Sequence, residues 1–282
     1  MMDESTVTSP RFDWRMSESY YLSIQLSLDG LSFCILDPVT NVYHSITDVK
    51  FGKEDPHFAQ QEQYILGCND MRRRYRKVLI SVNSPAFTMM PLSMYDEQRV
   101  RGVLALTGIN VGADDRILRN NIDLANATTI FTVPNFLYFF LKNQFPGAEI
   151  FHSTTPVASS MLLKRQADAQ GATVNVELAP DSMTVVVVDN NELKLCNRFY
   201  CREAFDYVYM LLYIAEHLSI NIKTSAITIQ GNVAYGDERI RQLKRFAGHV
   251  RMAEAPRFFN YGFAIPDQSH RYNSLFLMPL CV

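Results

Sequence analysis

Two short stretches of the chain place polar side chains where a phosphate-binding hairpin would need them. The first reads IQLSLDGLSFCILD, from Ile24 to Asp37, and the second reads VELAPDSMTVVVVD, from Val176 to Asp189. Gln25 and Glu177 occupy matching places, each in an expected strand just before a turn. Backbone amides of a turn can in general bind phosphate oxygens, and a nearby carboxylate can coordinate Mg²⁺. The question is therefore whether these residues could support phosphoryl transfer.

The two stretches align at a constant offset of 152 residues, without a gap. This offset pairs Gln25 with Glu177. It also pairs the flanking residues, which are Ile24 with Val176, Leu26 with Leu178, Asp29 with Asp181, Leu31 with Met183, Ser32 with Thr184, Ile35 with Val187, and Asp37 with Asp189. The similar segments KVLISVN and AITIQGN each follow a predicted helix after the hairpin. The sequence therefore predicts a duplication, with equivalent hairpins at residues 21–36 and 173–189.

The elements that position these hairpins follow the same order in both parts of the chain. Alternating apolar residues predict three consecutive strands at the start of each part, and in the second part these are residues 173–178, 182–189 and 192–200. Helices and further strands alternate after them. Three meandering strands followed by helix, strand, helix and strand are typical of an α+β order with a mixed sheet.

Two tandem parts of this kind resemble the actin-like ATPase superfamily, which includes actin, sugar kinases and 70-kDa heat-shock chaperones. The middle stretch VLISVNSPAFTMMPLSMYDEQRVRGVLALTGI and the later VPNFLYFFLKNQFPGAEIFHSTTP are similar to the actin-like pilus-assembly proteins. The start, YYLSIQLSLDGLSFCILD, and the end, HRYNSLFLMPLCV, resemble an uncharacterised Bacteroidetes family of unknown function that shares this fold. The resemblance covers about residues 12 to 282.

The resemblance implies an α/β fold of α+β mixed sheets, with two duplicated ribonuclease-H-like halves. We expect a loose N-terminal tail at residues 1–11 and a first half with an inserted subdomain at residues 12–171. The second half is expected at residues 172–282. The halves should face each other across a cleft, with both hairpins at its edge.

Active members of the superfamily carry Asp-x-Gly followed by small hydroxyl residues in both hairpins, and the first hairpin departs from this pattern. Gln25 replaces the aspartate, Ser27 replaces the glycine and Leu28 replaces the hydroxyl residue. The Gly-Gly pair that borders adenosine in the superfamily is reduced to Gly231-Asn232. The first hairpin therefore lacks the carboxylate that would organise a metal ion.

The second hairpin departs from the pattern as well. Glu177 is longer than aspartate by one methylene, Ala179 adds a Cβ, and Pro180 removes an N–H donor. Phosphoryl transfer depends on pre-organised groups of this kind. Their combined loss argues against hydrolysis of Mg-ATP, so we expect no catalytic residues and no cofactor.

The best interpretation is a non-catalytic actin-like-fold protein that acts through protein–protein contacts or self-association. A pseudo-ATPase that keeps weak nucleotide or small-ligand binding in the cleft is the alternative, and its candidate residues are Gln25, Ser27, Glu177 and Asn232. An active ATPase or kinase with altered motifs is a further alternative. A ribonuclease-H-type nuclease would need a carboxylate in place of Gln25. Asp29 and Asp181 could be interpreted as a pair of catalytic acids. Both lie at expected hairpin turns, however, where aspartate is favoured because its side chain can hydrogen-bond the turn backbone.

Composition excludes other classes of function. The net charge of −2 gives no global field that would recruit nucleic acid, and the short basic run MRRRYRK is typical of a solvated helix end. No apolar run reaches the roughly 18 residues that a membrane span needs. The N-terminal residues lack the apolar core of a secretory signal. The five cysteines form no CxxC and the six histidines are scattered, so we expect a cytoplasmic protein without a metal site.

An aromatic stretch near the end of the chain could bind a protein partner. PRFFNYGFAI, residues 256–265, lies outside any clear periodicity and contains four rings, at Phe258, Phe259, Tyr261 and Phe263. Aromatic side chains anchor interfaces efficiently. The alternative is that these rings close over the core of the second half. The apolar helix FDYVYMLLYIAEHL, residues 205–218, is expected to be buried between a sheet and the neighbouring half.

Overall fold

The computed structural model describes residues 2–27, 30–51, 57–165 and 171–282. Leu28 and Asp29, which the sequence places at the turn of the first hairpin, lie outside the described residues. All statements about the fold below concern the described part of the chain.

Strands and helices alternate along the described chain. The strands are β1 (Asp3–Thr8), β2 (Tyr21–Ser27), β3 (Gly30–Asp37), β4 (Val42–Lys50), β5 (Lys77–Val82), β6 (Phe87–Pro91), β7 (Asp115–Ile122), β8 (Ala127–Pro134), β9 (Glu149–His152), β10 (Thr173–Ala179), β11 (Ser182–Asp189), β12 (Glu192–Tyr200), β13 (Ala226–Gln230), β14 (His249–Met252) and β15 (Asn260–Tyr261). The α-helices are α1 (His57–Gly67), α2 (Val100–Leu106), α3 (Asn135–Gln144), α4 (Thr154–Arg165), α5 (Ala204–His217), α6 (Glu238–Phe246) and α7 (Asn273–Leu277). A 3-10 helix, Ser269–Tyr272, precedes α7.

Two mixed sheets have the same topology. In the first sheet the order is β1-β4-β3-β2-β5-β9, and in the second it is β12-β11-β10-β13-β14. In the first sheet β2, β3 and β4 form an antiparallel meander, as β10, β11 and β12 do in the second. The strands that follow a helix, β5 and β9 in the first sheet and β13 and β14 in the second, add in parallel. The predicted α/β fold with two duplicated halves is confirmed.

The two hairpins are equivalent in register as well as in topology. Gln25 pairs with Ser32 across β2 and β3, and Glu177 pairs with Thr184 across β10 and β11. The pairing of the second strand with the third also shifts register at the same place in each half, between Ile35 and Leu36 in β3 and between Val187 and Val188 in β11. Equal alternation and equal turn length produce equal register, so the offset found in the sequence predicts the hairpin pairing correctly.

A third sheet is inserted between β5 and β9 of the first half. It consists of the antiparallel strands β6, β8 and β7, with β8 in the centre. Helix α2 covers it, and Val100 and Leu104 pack against Ile130 in a small separate core. This insertion adds a separate small sheet to the first half.

Helix α4 joins the two halves through a shared core. Val157 and Leu162 of this helix lie in one apolar cluster with Val186 and Val188 of β11. The run VVVV in β11 is buried on both faces, because one face meets α4 and the other meets the core that α5 covers. The halves therefore share buried apolar surface, which holds the cleft in place.

The N-terminal segment is not the loose tail that the sequence predicts. Residues 3–8 form β1, which runs antiparallel to β4 at the edge of the first sheet. All six side chains of β1 are exposed, so no apolar pattern marks the strand in the sequence. Backbone pairing and the hydroxyl contacts Thr6–Thr47 and Thr8–Ser45 hold it instead. An edge strand of this kind needs no buried face.

The C-terminal residues assigned to the second half return to the first. Strand β15 runs parallel to β4, where Asn260 pairs with Val42. The last helix, α7, contacts β2 and β3 and buries Leu275 and Phe276 there. The end of the chain thus completes the core of the first half, which a purely linear division of the sequence does not predict.

Candidate functional site

A cavity of about 410 Å³ opens between the halves, where both hairpins meet. The strands β2 and β10 supply its two sides, and the ends of β4, β5, β12 and β13 supply its rim. The 3-10 helix that precedes α7 closes one end. The structure brings Gln25, Ser27, Glu177 and Asn232 together in this cavity, as the sequence predicts for a cleft.

Gln25 occupies the middle of β2, between Ser32 of β3 and Ser81 of β5. Its Oε1 accepts a hydrogen bond of 2.7 Å from Ser274 Oγ in α7. An amide at this position is neutral, so it adds no negative charge for a metal ion. The side chain instead connects the first sheet to the C-terminal segment.

Glu177 occupies the equivalent position in β10. Its Oε1 accepts a hydrogen bond of 2.8 Å from Asn83 Nδ2 of the first half, and its Oε2 accepts one of 3.3 Å from Gln230 Nε2 of β13. Desolvation by the surrounding protein raises the pKa of Glu177, while the Gln230 hydrogen bond, the charge of Arg198 and the Asn83 hydrogen bond oppose that increase. Both carboxylate oxygens are therefore already engaged by amide donors.

Gln230 extends this polar network toward the end of the chain. Its Oε1 accepts hydrogen bonds from Asn175 Nδ2 at 3.2 Å and from Asn273 Nδ2 at 2.6 Å. Asn273 thus binds the second half, whereas the next residue, Ser274, binds Gln25 of the first. Two neighbouring residues of α7 connect the two halves behind the cavity.

The carbonyl groups of both hairpin turns are engaged by side chains. Gln61 Nε2 of α1 donates to the carbonyl oxygens of Ser27, at 2.7 Å, and Gly30, at 3.1 Å. In the second hairpin, Tyr207 and Arg239 donate to the carbonyl oxygen of Ala179, at 2.9 Å and 2.6 Å. These contacts hold the turns in position from the helix side. The second turn offers no amide at Pro180, since proline has no N–H.

Gly231 follows β13 and lies against β10. Its φ is +109°, and a Cβ added there would come within 2.5 Å of the Leu178 carbonyl oxygen. Its amide donates to the His270 carbonyl oxygen at 3.3 Å. Glycine at this position therefore permits close packing between the end of β13 and the second hairpin, and Asn232 follows it at the cavity wall.

Charged residues of the cavity that sequence reasoning missed lie on the third strand of each half. Asp48 of β4 pairs with Ser32, and Arg198 of β12 pairs with Thr184. Asp48 and Arg198 are therefore equivalent positions with opposite charge. The gapless offset of 152 would pair Asp48 with Tyr200, so only the strand register of the folded protein shows that Asp48 and Arg198 are equivalent.

Each of these two charged side chains has a local partner. Asp48 Oδ1 accepts a hydrogen bond of 2.7 Å from Ser32 Oγ, and Asp48 Oδ2 lies 3.5 Å from Arg271 Nη2 of the 3-10 helix. Arg198 Nη2 donates to Ser182 Oγ at 2.7 Å. Arg271 comes from a segment more than 200 residues away in sequence from Asp48, so no local pattern predicts this pair.

The aromatic stretch predicted as a partner-binding surface packs inside the fold. Phe259 is 8% exposed, and its ring centroid lies 5.2 Å from that of Tyr43. Tyr261 stacks on Tyr43 at 5.6 Å, and Phe258 and Phe263 pack at the margin of the same cluster. The rings cover the core of the first half rather than the second. The interface interpretation is wrong for Phe259, because its ring is buried against Tyr43.

Helix α5 exposes aromatic side chains that were expected to be buried. Glu203 and Asp206 form a reciprocal capping box at its start, and the inner face buries residues such as Leu211 against the second sheet. On the outer face, Phe205 is 56% exposed and Tyr209 is 66% exposed. The exposed ring of Tyr213 continues this row one turn further. We call Phe205, Tyr209 and Tyr213 the α5 ridge.

The described residues form neither a membrane-spanning helix nor a cluster of metal ligands. No described helix combines the length and the apolar character that crossing a membrane requires. Three or more His, Cys, Asp or Glu side chains do not come together as metal ligands within residues 2–27, 30–51, 57–165 and 171–282.

The duplicated halves and the cleft between them define a protein with the actin-like ATPase fold. A Bacteroides thetaiotaomicron VPI-5482 protein with this fold and unknown function is similar over 86% of this chain and 93% of its own, at TM-score 0.78 and 24% identity. This chain belongs to the family described as protein of unknown function (DUF3822), whose sequence profile matches residues 9–250. The resemblance inferred from the sequence is thereby confirmed.

A chain of the PilM–PilN type IV pilus biogenesis complex is also similar. The similarity covers 92% of this chain and 98% of that chain, at TM-score 0.56 and 11% identity. At such identity the likeness shows the fold alone. No protein with a curated description matches the sequence.

Proposed function

We propose that this chain is a non-catalytic actin-like-fold protein of the cytoplasm that acts by binding a protein partner through the α5 ridge. The observation that carries the proposal is the exposed row of Phe205, Tyr209 and Tyr213 on a helix whose other face is firmly packed. Such rings bury large area on association and have few rotors to immobilise. A rigid helix therefore presents them at low entropic cost.

The chemistry of the cleft supports the non-catalytic part of the proposal. Gln25 supplies an amide where the superfamily uses a carboxylate, and Ser274 already binds its oxygen. Both oxygens of Glu177 accept hydrogen bonds from protein amides. Catalysis of phosphoryl transfer requires groups that are aimed at the transferring phosphate and its metal ion. These side chains are aimed at their neighbours.

The similar fold in the PilM–PilN complex supports the protein-binding part. That complex functions in type IV pilus biogenesis, so a chain of this fold there is in contact with other protein. We carry over only the kind of activity, which is association with protein.

The test is capture of partners from extracts of the native cell by the wild-type chain and by the double variant Phe205→Ser, Tyr209→Ser. We expect a partner that the wild type retains and that the double variant binds at least about tenfold more weakly when purified, a loss of about 1.4 kcal/mol. Leu106→Ser is the matched control, since Leu106 is an exposed apolar residue on α2. Equal retention of every partner by the double variant would contradict the proposal.

A second candidate function is the binding of a small ligand in the cleft without turnover. The cavity of about 410 Å³ favours it, because small-molecule sites are concave and of about 300–1,000 Å³. Titration calorimetry with nucleotides and sugars tests this function, alongside an assay for Mg-dependent ATP hydrolysis. Mg-dependent ATP hydrolysis by the wild type that is lost in Glu177→Gln would instead indicate that the protein is an enzyme.

A further inference from the structure

Two arginines from different parts of the chain line the cleft. Arg198 comes from β12 of the second half, and Arg271 comes from the 3-10 helix before α7. The side chain of Arg198 is 13% exposed and that of Arg271 is 11% exposed. Burying a guanidinium requires compensation by acceptors or by an opposite charge.

The compensation that the protein gives these arginines is incomplete. The ion-pair partner of Arg198 is Asp181, at 3.8 Å, and the side chain of Asp181 is largely exposed to solvent. Arg271 Nη2 lies 3.5 Å from Asp48 Oδ2. The Nε atoms of both arginines are buried and have no hydrogen-bond partner. An unsatisfied buried donor is costly, so these groups gain when an acceptor reaches them.

The carboxylate and glutamine acceptors of the same cavity are, in contrast, already occupied. Gln25 Oε1 accepts from Ser274, and both oxygens of Glu177 accept from amides. Asp48 Oδ1 accepts from Ser32 Oγ. Among these charged and amide groups of the described lining residues, the atoms that still lack a hydrogen-bond partner are therefore donors. A ligand rich in acceptor atoms would suit them.

The repeat also indicates that this ligand is held without a metal ion. Arg198 stands at the position that is equivalent to Asp48 of the first half. A guanidinium at that position repels a divalent cation and attracts an oxyanion. Arginine is suited to carboxylate and phosphate because its planar group can donate two parallel hydrogen bonds.

We propose that the cleft binds a small molecule that carries an oxyanion group, a carboxylate or a phosphate, and that Arg198 and Arg271 hold this group directly. The inference rests on the ligand-binding function proposed above for the cleft. It adds the chemical class of the ligand and the residues that recognise it. The volume of about 410 Å³ limits the ligand to a small molecule.

The test is titration calorimetry of the full chain at constant ionic strength with EDTA present. The charged probes are pyrophosphate, citrate and ADP, which separate a phosphate from a carboxylate source, and the neutral probes are adenosine and glucose. We expect saturable binding of at least one charged probe, weakened about tenfold or more in Arg198→Gln. Lys244→Gln, an exposed change on α6, is the control for net charge and should bind as the wild type does.

A second variant tests the proposal independently of whether Arg198→Gln folds. Glu177→Gln removes a negative charge near Arg198 and keeps an amide acceptor, so it should tighten binding of the charged probe about fivefold, a gain that a damaged fold would not give. Binding of neutral probes only would overturn the oxyanion inference and leave a ligand-binding cleft. Binding of none of the five probes would overturn the inference and the ligand-binding function together.

Discussion

Equivalent residues of the two halves differ in charge, and these differences define the chemistry of the cleft. Gln25 corresponds to Glu177 and Asp48 corresponds to Arg198, on strands whose register is otherwise the same. Each half therefore retains one carboxylate, at a different position. The Glu177 carboxylate faces amides and an arginine, and the Asp48 carboxylate faces a serine and Arg271. Within the described part of the chain, neither carboxylate belongs to a group of three or more His, Cys, Asp or Glu side chains that could hold a metal ion.

At the residue scale, Gly231→Ala should destabilise the protein by about 2–3 kcal/mol. The new Cβ would meet the Leu178 carbonyl oxygen at 2.5 Å, and the φ of +109° is strained for alanine. Urea unfolding followed by circular dichroism measures the change. Gly236→Ala is the control, because a Cβ there meets nothing within 4 Å. Equal stability of the two variants would refute the close-packing role of Gly231.

His152 gives a second prediction at this scale, for the pH dependence of stability. Its ring is fully buried, its Nε2–H donates to the Ser84 carbonyl oxygen at 2.9 Å, and Nδ1 lies 2.7 Å from Thr154 Oγ1. Burial lowers the pKa of His152 from 6.5 to about 4, and the nearby Arg198 charge adds to this effect.

A lowered histidine pKa makes the folded state less stable in acid, because the unfolded chain binds the proton first. The stabilisation is complete above pH 6.5 and is lost as the pH falls toward about 4, by up to roughly 3 kcal/mol. Free energies of unfolding at several pH values should therefore fall more steeply for the wild type than for His152→Gln. The exposed His249→Gln should keep the wild-type slope. Parallel slopes for the wild type and His152→Gln would exclude this role.

At the scale of elements, the segment that contains β15 closes one face of the first sheet. The Asn41 Nδ2 donates to the Phe258 carbonyl oxygen at 2.6 Å, and Gly262 N donates to the Tyr43 carbonyl oxygen at 2.9 Å. Tyr43 is fully buried beneath it, and its hydroxyl donates to the Phe276 carbonyl oxygen at 2.8 Å. The aromatic segment and α7 thus form a single lid over β4.

Phe259→Ser should lower the free energy of unfolding by about 3 kcal/mol or more, because it removes a buried ring from this lid and leaves a cavity. Association with other protein should stay unchanged. The matched change on the α5 ridge, Phe205→Ser, should behave in the opposite way, since Phe205 is mostly exposed. Melting temperature and oligomer mass of both variants measure the two effects. A stable Phe259→Ser variant with altered association would favour an interface at Phe259 instead.

At the scale of the whole molecule, the halves are connected in two places. Helix α4 packs between the two sheets, and the C-terminal segment binds Gln25 in one half and Gln230 in the other. The cleft therefore lies between two bodies that share a core on one side and a polar network on another. Such sharing couples the stability of the halves.

The protein should unfold in one cooperative transition, with equal calorimetric and van't Hoff enthalpies. Val157→Ala removes two methyl groups from the shared core, where Val157 is 2% exposed, and should cost roughly 2 kcal/mol. Scanning calorimetry should show its single transition at a lower temperature, without splitting. Two resolved transitions in the wild type would contradict the shared core.

The sequence by itself determined the hairpins, their register and the duplicated order of elements. Alternation of apolar residues and the length of each turn are local properties, and they decide which face of a strand is buried. The same local reasoning placed Gln25 and Glu177 at equivalent positions, and the resemblance to the actin-like ATPase superfamily predicted a cleft between the halves. It also placed Gly231 and Asn232 after the matching strand, where the structure has them.

Only the tertiary structure decided which partners these residues meet. Ser274 binds Gln25 across 249 residues, and Tyr43 binds the Phe276 carbonyl across 233 residues. Contacts at such separation depend on where the chain returns after folding, and neither periodicity nor turn chemistry encodes that return. For the same reason, local pattern did not predict that β1, which has no apolar face, forms a strand, or that Phe259 is buried. Local pattern specifies elements, whereas the cavity is formed by packing elements that are distant in sequence.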